Sequence, residues 1–226
     1  MQLHLFSSPG ERDIRYILEA SRPYLEQASQ PVVAYFPAAA WRSNWLEYTK
    51  NAFAGLGEIA YIDCETMALA EIQAILDRAT VLYISGGNTF LLNHRIHHYG
   101  LFTDLRRRLL DGLPLVAFSA GSIICGPNML TANDMNLCAT THFESFNLLS
   151  YNFDMHYPTE EAARNNQADW LLDYHAFHDN PILALQDGAY LYVNEQEVTV
   201  KQGVCWLIEK RKTRRQVTGT LPIALE

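Results

Sequence analysis

A serine becomes a nucleophile only where the chain lifts its hydroxyl clear of the backbone and a base stands beside it. Ser119 has the setting for the first condition: it closes the apolar run Leu115-Val-Ala-Phe118 and is followed by Ala120-Gly-Ser122. Ala117, Ala120 and Gly121 are small enough to permit the sharp strand-to-helix turn that raises an Oγ above a sheet edge. The stretch Ser122-Ile-Ile-Cys-Gly126 would open a helix, so the Ala120 N–H would point at negative charge developing on a substrate oxygen. The same residues could equally make a plain capping turn, and only their company decides between the two.

That company includes Gly86-Gly87-Asn88, directly after the apolar run Val81-Leu-Tyr-Ile84. Two glycines there let the backbone turn tightly and approach a bound group, and their N–H groups could supply a second oxyanion donor. Read alone, the same turn is a helix entry with Asn88 as its N-cap. Of eight histidines, His4 falls on the first strand, and His94, His97 and His98 on one helix, where packing or surface roles are expected. His175 and His178, three apart, could share a metal, but no third ligand is evident, so neither metal nor other cofactor is expected. His142 and His156 remain as bases. His156 follows Leu148 to Met155 and precedes Tyr157-Pro158, a strand end, where bases commonly stand. Asp134, Asp154 and Asp187 are candidates for the carboxylate that orients it, and spacing does not choose among them.

The elements that must position these residues read as repeated strand–helix units. Leu3 to Phe6, Val32 to Phe36, Ile59 to Ile62, Val81 to Ile84 and Leu115 to Phe118 are continuous apolar runs, as in strands buried on both faces of a parallel sheet. Helical patterns lie between them at Glu11 to Ala28 (with Pro23 restarting the helix), Trp41 to Leu56, Ala68 to Arg78, Thr89 to His98 and Asp104 to Leu110. The fold class expected is α/β, an open doubly wound and mostly parallel sheet, with ligands at the carboxyl ends of the strands. A polar helix from Thr159 to Phe177 and a β meander over Ile182 to Glu209 complete it, in a single domain spanning residues 1–226.

Composition narrows the partners. A formal charge of -8 lacks the basic footprint that nucleic acid needs, and Arg106-Arg-Arg108 reads as a solvated helix face. No apolar run approaches the length of a membrane span, and four scattered cysteines suggest neither a disulfide framework nor a zinc site. A cytoplasmic protein is expected, with no nucleic acid or membrane partner. A homodimer is an open expectation, since nothing in the sequence sets the oligomeric state.

Four ordered blocks, Gly86-Gly-Asn-Thr-Phe90, Phe118-Ser-Ala-Gly-Ser122, Thr131-Ala-Asn-Asp-Met135 and Met155-His-Tyr157, resemble the dipeptidase E (aspartyl dipeptidase) family of serine peptidases, relatives of cyanophycinase. Their order and spacing agree from about residue 80 to 190. The resemblance implies a sheet like that of class I glutamine amidotransferases, with serine in place of cysteine at the elbow. It implies Ser119 as nucleophile, His156 as general base and Asp187, where the family usually carries glutamate, as third member. It also implies Asp134 as a supporting carboxylate, an oxyanion hole from Gly87 and Ala120, and substrate binding by Asn88 and Arg164, the latter suited to a carboxylate. The substrate implied is a small peptide, a dipeptide of the Asp-X type. Two alternatives are β-aspartyl-arginine peptides, faced by the acidic Glu160 and Glu161, and a non-catalytic member that binds a metabolite. A conventional α/β-hydrolase is disfavoured because too few strand–helix units follow Ser119.

Overall fold

The computed structural model describes residues 1–41, 45–211 and 214–223. From the N-terminus, β1 (Leu3–Phe6) leads through α1 (Arg15–Leu18) and α2 (Arg22–Gln27) to β2 (Val32–Phe36). Then come α3 (Trp45–Ala52), β3 (Glu58–Tyr61), α4 (Leu69–Asp77), β4 (Val81–Ile84), α5 (Thr89–His98), α6 (Phe102–Leu110) and β5 (Leu115–Phe118). Beyond Ser119 lie α7 (Ala120–Ile123), a long loop, β6 (Asn152–Met155) and α8 (Glu161–Phe177). The chain ends in β7 (Ile182–Leu185), β8 (Tyr190–Val193), β9 (Glu197–Gln202), β10 (Cys205–Ile208), β11 (Arg215–Val217) and β12 (Thr220–Pro222). The helix expected over Glu11 to Ala28 breaks into α1, a 3₁₀ turn and α2, with Pro23 in the first turn of α2. Proline has no N–H to extend the preceding ladder, so it restarts the helix rather than continuing it.

The strands form two sheets. The larger has eight strands in the order β12-β9-β8-β1-β5-β4-β2-β3, and its β1, β5, β4, β2 and β3 run parallel. The smaller has the order β11-β10-β7-β6, with β6 and β7 parallel. This corrects one expectation: the stretch Ile182 to Glu209 does form strands, β7 to β10, but they are not a consecutive meander. Of β7 to β10, only β8 and β9 pair as neighbours in sequence, while β7 and β10 cross into the smaller sheet and pair with each other. Burial supplies the reason: every residue of β7 is buried, and a strand buried on both faces must lie between two layers. Gly188 and Gly203 make the exits with φ of +80° and +76°, which glycine adopts without strain.

Apolar side chains cover both faces of the main sheet. Phe6, Val33, Tyr35, Tyr83 and Val116 pack on one face against Ile17 and Leu18 of α1, Leu25 of α2 and Phe53 in the turn after α3. Leu5, Ala34, Ile84 and Ala117 pack on the other, where α4 to α7 and the smaller sheet, through Phe153, Met155, Leu183 and Leu185, close the core. The parallel strands therefore deliver the β1, β2, β4 and β5 loops to one edge, and the smaller sheet brings the β6 and β7 ends to the same place. Among the described residues no helix is long and apolar enough to cross a membrane, and no group of three His, Cys, Asp or Glu side chains is placed to hold a metal ion.

Candidate active site

Ser119 stands at the end of β5 with φ 50° and ψ −117°, a conformation costly for any residue with a side chain. Its neighbours enforce it. Ser119 N donates to Phe6 O at 2.9 Å, and Ser119 O accepts from Ser122 N and Ile123 N at 2.9 and 3.0 Å. Ser122 Oγ is buried between Phe6 O at 2.9 Å and Ala117 O at 3.0 Å, locking the turn to β1. A Cβ on Gly121 would fall 2.6 Å from Ile84 O, so only glycine lets α7 leave the sheet at this angle.

The serine hydroxyl meets a hydrogen-bonded chain of two further side chains. Ser119 Oγ lies 2.9 Å from His156 Nε2, and His156 Nδ1 lies 2.7 Å from Asp187 Oδ1. An ionised carboxylate cannot donate, so Nδ1 carries the proton toward Asp187 and Nε2 accepts from the serine hydroxyl. His156 follows β6 with φ 61°, and its N–H donates to Ser7 Oγ at 2.9 Å. The parallel register Met155↔Leu185 sets the ends of β6 and β7 side by side, and Tyr157 N donates to Leu185 O at 2.9 Å beyond it. Burial raises the Asp187 carboxyl, but the hydrogen bonds from His156 and Ser8, the charge of His156 and the Ser7 hydroxyl outweigh it and hold Asp187 below the usual carboxylate range. Both side chains are about half exposed, at 49% for His156 and 54% for Asp187, so water screens the pair.

Ser7 is a residue that the sequence reading missed. It is fully buried at the end of β1, and its Oγ reaches His156 N, Leu185 O at 3.1 Å and Asp187 Oδ1 at 3.4 Å. The signal was its place: a serine directly after a buried strand, at the sheet edge where the other site loops also end.

The remaining expected residues build the walls. A Cβ on Gly86 would fall 3.0 Å from Ser119 Cβ, so the Gly86-Gly87 loop lies directly against Ser119. Gly87 has φ +140°, and a Cβ there would meet Ala39 O at 2.5 Å. Ala120 heads α7, where the first N–H groups have no helical acceptor. Asn88 caps α5, accepting from Leu91 N at 2.9 Å, while its Nδ2 donates to Met135 O at 2.9 Å. Asp134 Oδ2 accepts from Thr89 N at 2.8 Å and Thr89 Oγ1 at 2.6 Å. Asp134 thus ties the loop around Thr131 to Met135 to the start of α5, whereas the carboxylate on His156 is that of Asp187. Asp154 is buried two residues before His156, held by Asn133 Nδ2 and Gln167 Nε2 at 3.1 Å each, and burial raises its carboxyl to about 7 against those bonds. Arg164, on α8, donates to Thr159 O just before its own helix, and its guanidinium carbon lies 5.7 Å from the Trp206 ring. Its described contacts do not join the Ser119–His156–Asp187 chain.

Comparison with known proteins agrees with this geometry in kind. The match to Peptidase family S51 spans residues 3–201. Peptidase E of Shewanella amazonensis is 30% identical over 206 residues, covering 81% of this chain and 86% of that protein. Peptidase E of Nostoc sp. is 26% identical over 194 residues, covering 84% and 79%. The crystal structure of a peptidase from an acI-B1 Actinobacterium has the same fold, with a TM-score of 0.65 at 18% identity over 98% of this chain and 96% of that one. With Ser119 at a strained elbow and such relatives along nearly its whole length, this chain belongs to peptidase family S51 and is a serine-type peptidase.

Proposed function

We propose that the chain hydrolyses small peptides, dipeptides among them, through an acyl-enzyme formed on Ser119. The observation that carries this is the unbroken run of hydrogen bonds from Ser119 Oγ through His156 to Asp187. Ser119 Oγ attacks the scissile carbonyl while His156 Nε2 takes its proton. The N–H groups of Gly87 and Ala120 hold the oxyanion, and His156 then gives the proton to the leaving amine. In the second half His156 takes a proton from water, which attacks the ester and frees Ser119. Asp187 keeps the Nδ1 proton in place and stabilises the imidazolium in both halves. Asn88 and Asp134 hold the oxyanion loop through the α5 cap.

The family resemblance adds an N-terminal aspartate, which needs a cation beside the acyl residue. Arg164, the residue that would fill this role, is engaged with Thr159 and Trp206, so the site supports the reaction better than it supports that preference. The test is Ser119→Ala on a panel that includes Asp-X and β-Asp-Arg dipeptides. We expect kcat to fall by at least about a thousandfold and labelling by a fluorophosphonate probe to vanish. A variant that still hydrolyses its peptide at the wild-type rate would remove Ser119 from the mechanism.

A further inference from the structure

On the face of the main sheet away from His156, the carboxyl ends of β2 and β4 border a cavity of about 440 Å³. It takes no part in the hydrolytic steps, yet Gly86, Gly87 and Phe118 line it, and these are the oxyanion loop and the residue before the nucleophile. Its inner walls are the stacked rings of Tyr35 and Tyr83, with centroids 5.1 Å apart. Thr49, Tyr83 and Ser85 also line it, and the hydroxyls of all three are buried without a hydrogen-bond partner among the described residues. A buried hydroxyl left unpaired is unfavourable, so three around one cavity point to an occupant that pairs with them.

Charge is confined to the exposed mouth, where it is already engaged. The Arg12 guanidinium carbon lies 4.2 Å over the Tyr16 ring, and Asp13 accepts from Arg15 N at 3.0 Å and Tyr48 OH at 3.4 Å. A carboxylate placed deep in the cavity would be desolvated with no cation beside it. An apolar, aromatic lining with a few polar groups suits a neutral group, and the volume is that of a small-ligand site. The side of the substrate follows from the chemistry. The leaving nitrogen must reach His156 Nε2 while the carbonyl oxygen sits over Gly87, so the substituent on the acyl carbon falls on the oxyanion side, where this cavity lies.

We infer that the cavity seats the side chain of the residue supplying the scissile carbonyl, and that this side chain is large, neutral and hydroxyl-tipped, as in tyrosine. The inference rests on the acyl-enzyme reading and replaces aspartate at that position with an aromatic residue. It is tested with Tyr-Ala, Phe-Ala and Asp-Ala. Burying an aromatic side chain should raise kcat/KM for Tyr-Ala at least about tenfold over Asp-Ala. Ser85→Ala, and separately Tyr83→Phe, should lower the Tyr-Ala to Phe-Ala ratio by about two- to tenfold. Because each removes an unpaired hydroxyl, thermal unfolding should stay where it is or rise, and a merely structural role would not move the ratio. Calorimetry of Tyr-Ala and Asp-Ala on Ser119→Ala reads the same order of affinity without turnover. Preference for Asp-Ala in rate and binding, or ratios untouched by both substitutions, overturns the inference while leaving Ser119 chemistry standing. Loss of all dipeptide hydrolysis together with absent fluorophosphonate labelling overturns the acyl-enzyme reading instead, and the calorimetry still decides what the cavity holds.

Discussion

Asp187→Asn removes the negative charge beside His156 and nearly nothing else. The wild-type contact is 2.7 Å long and about half exposed, so its worth lies between the limits of bulk water and a protein surface. Unit charges about 4 Å apart attract by roughly 1 kcal/mol in water and roughly 4 kcal/mol at a surface-like dielectric. That attraction exists only once His156 has taken the serine proton, so it is spent on the transition state and not on substrate binding. The expected loss in kcat is therefore about five- to a thousandfold, with KM little changed. Asp134→Asn should behave differently. Its partners are Thr89 N and Thr89 Oγ1, so the expected cost is about 1 kcal/mol of stability from a weakened α5 cap, with a smaller kinetic effect. The assay is steady-state kinetics of both variants beside their urea unfolding. Full activity in Asp187→Asn, with collapse in a well-folded Asp134→Asn, would refute the assignment of Asp187 as the carboxylate that serves His156.

Two further outcomes are expected. Asp154 binds its proton more tightly in the folded chain, where burial raises it to about 7, than in the unfolded chain, where a value of about 4 applies. Its contribution is therefore fully present below about pH 4 and is lost as pH rises to about 7, a loss on the order of 4 kcal/mol. Asp154→Asn should gain on the wild type in urea unfolding across that window, and a gap that does not change with pH would discard the explanation. Ser7→Ala should cost about 1 kcal/mol of stability by removing the acceptor of the part-buried His156 N–H, and should lower kcat more than it raises KM. Paired unfolding and kinetic measurements decide it, and an unchanged kcat would remove Ser7 from the positioning of His156.

Much of this is legible in the sequence itself. The buried parallel strands announced themselves as continuous apolar runs, because a strand covered on both faces has no polar side to alternate with. Ser119 and the Gly86-Gly87 loop were visible because sharp turns and close approach restrict residue type. Choosing Asp187 over Asp134 was not possible from spacing. That contact depends on β6 and β7 pairing in parallel with Met155 opposite Leu185, a long-range register that no local pattern fixes. The meander itself failed because local turn residues say where a strand ends and not which sheet receives the next one. Ser7 stayed hidden because a serine after a strand is common and its value comes from what two distant strands place beside it. The cavity stayed hidden for the same reason, since Thr49, Tyr83 and Ser85 are ordinary residues until α3 and the end of β4 bring them together.

Among the described residues only five other than glycine have positive φ, and two of them are Ser119 and His156. Elsewhere such a position could be relaxed by glycine, a routine way to make a protein more durable. Here relaxation would delete the hydroxyl or the imidazole. These two strained places are thus closed to stabilising change, and any hardier descendant of this chain must find its gains at a distance from its own chemistry.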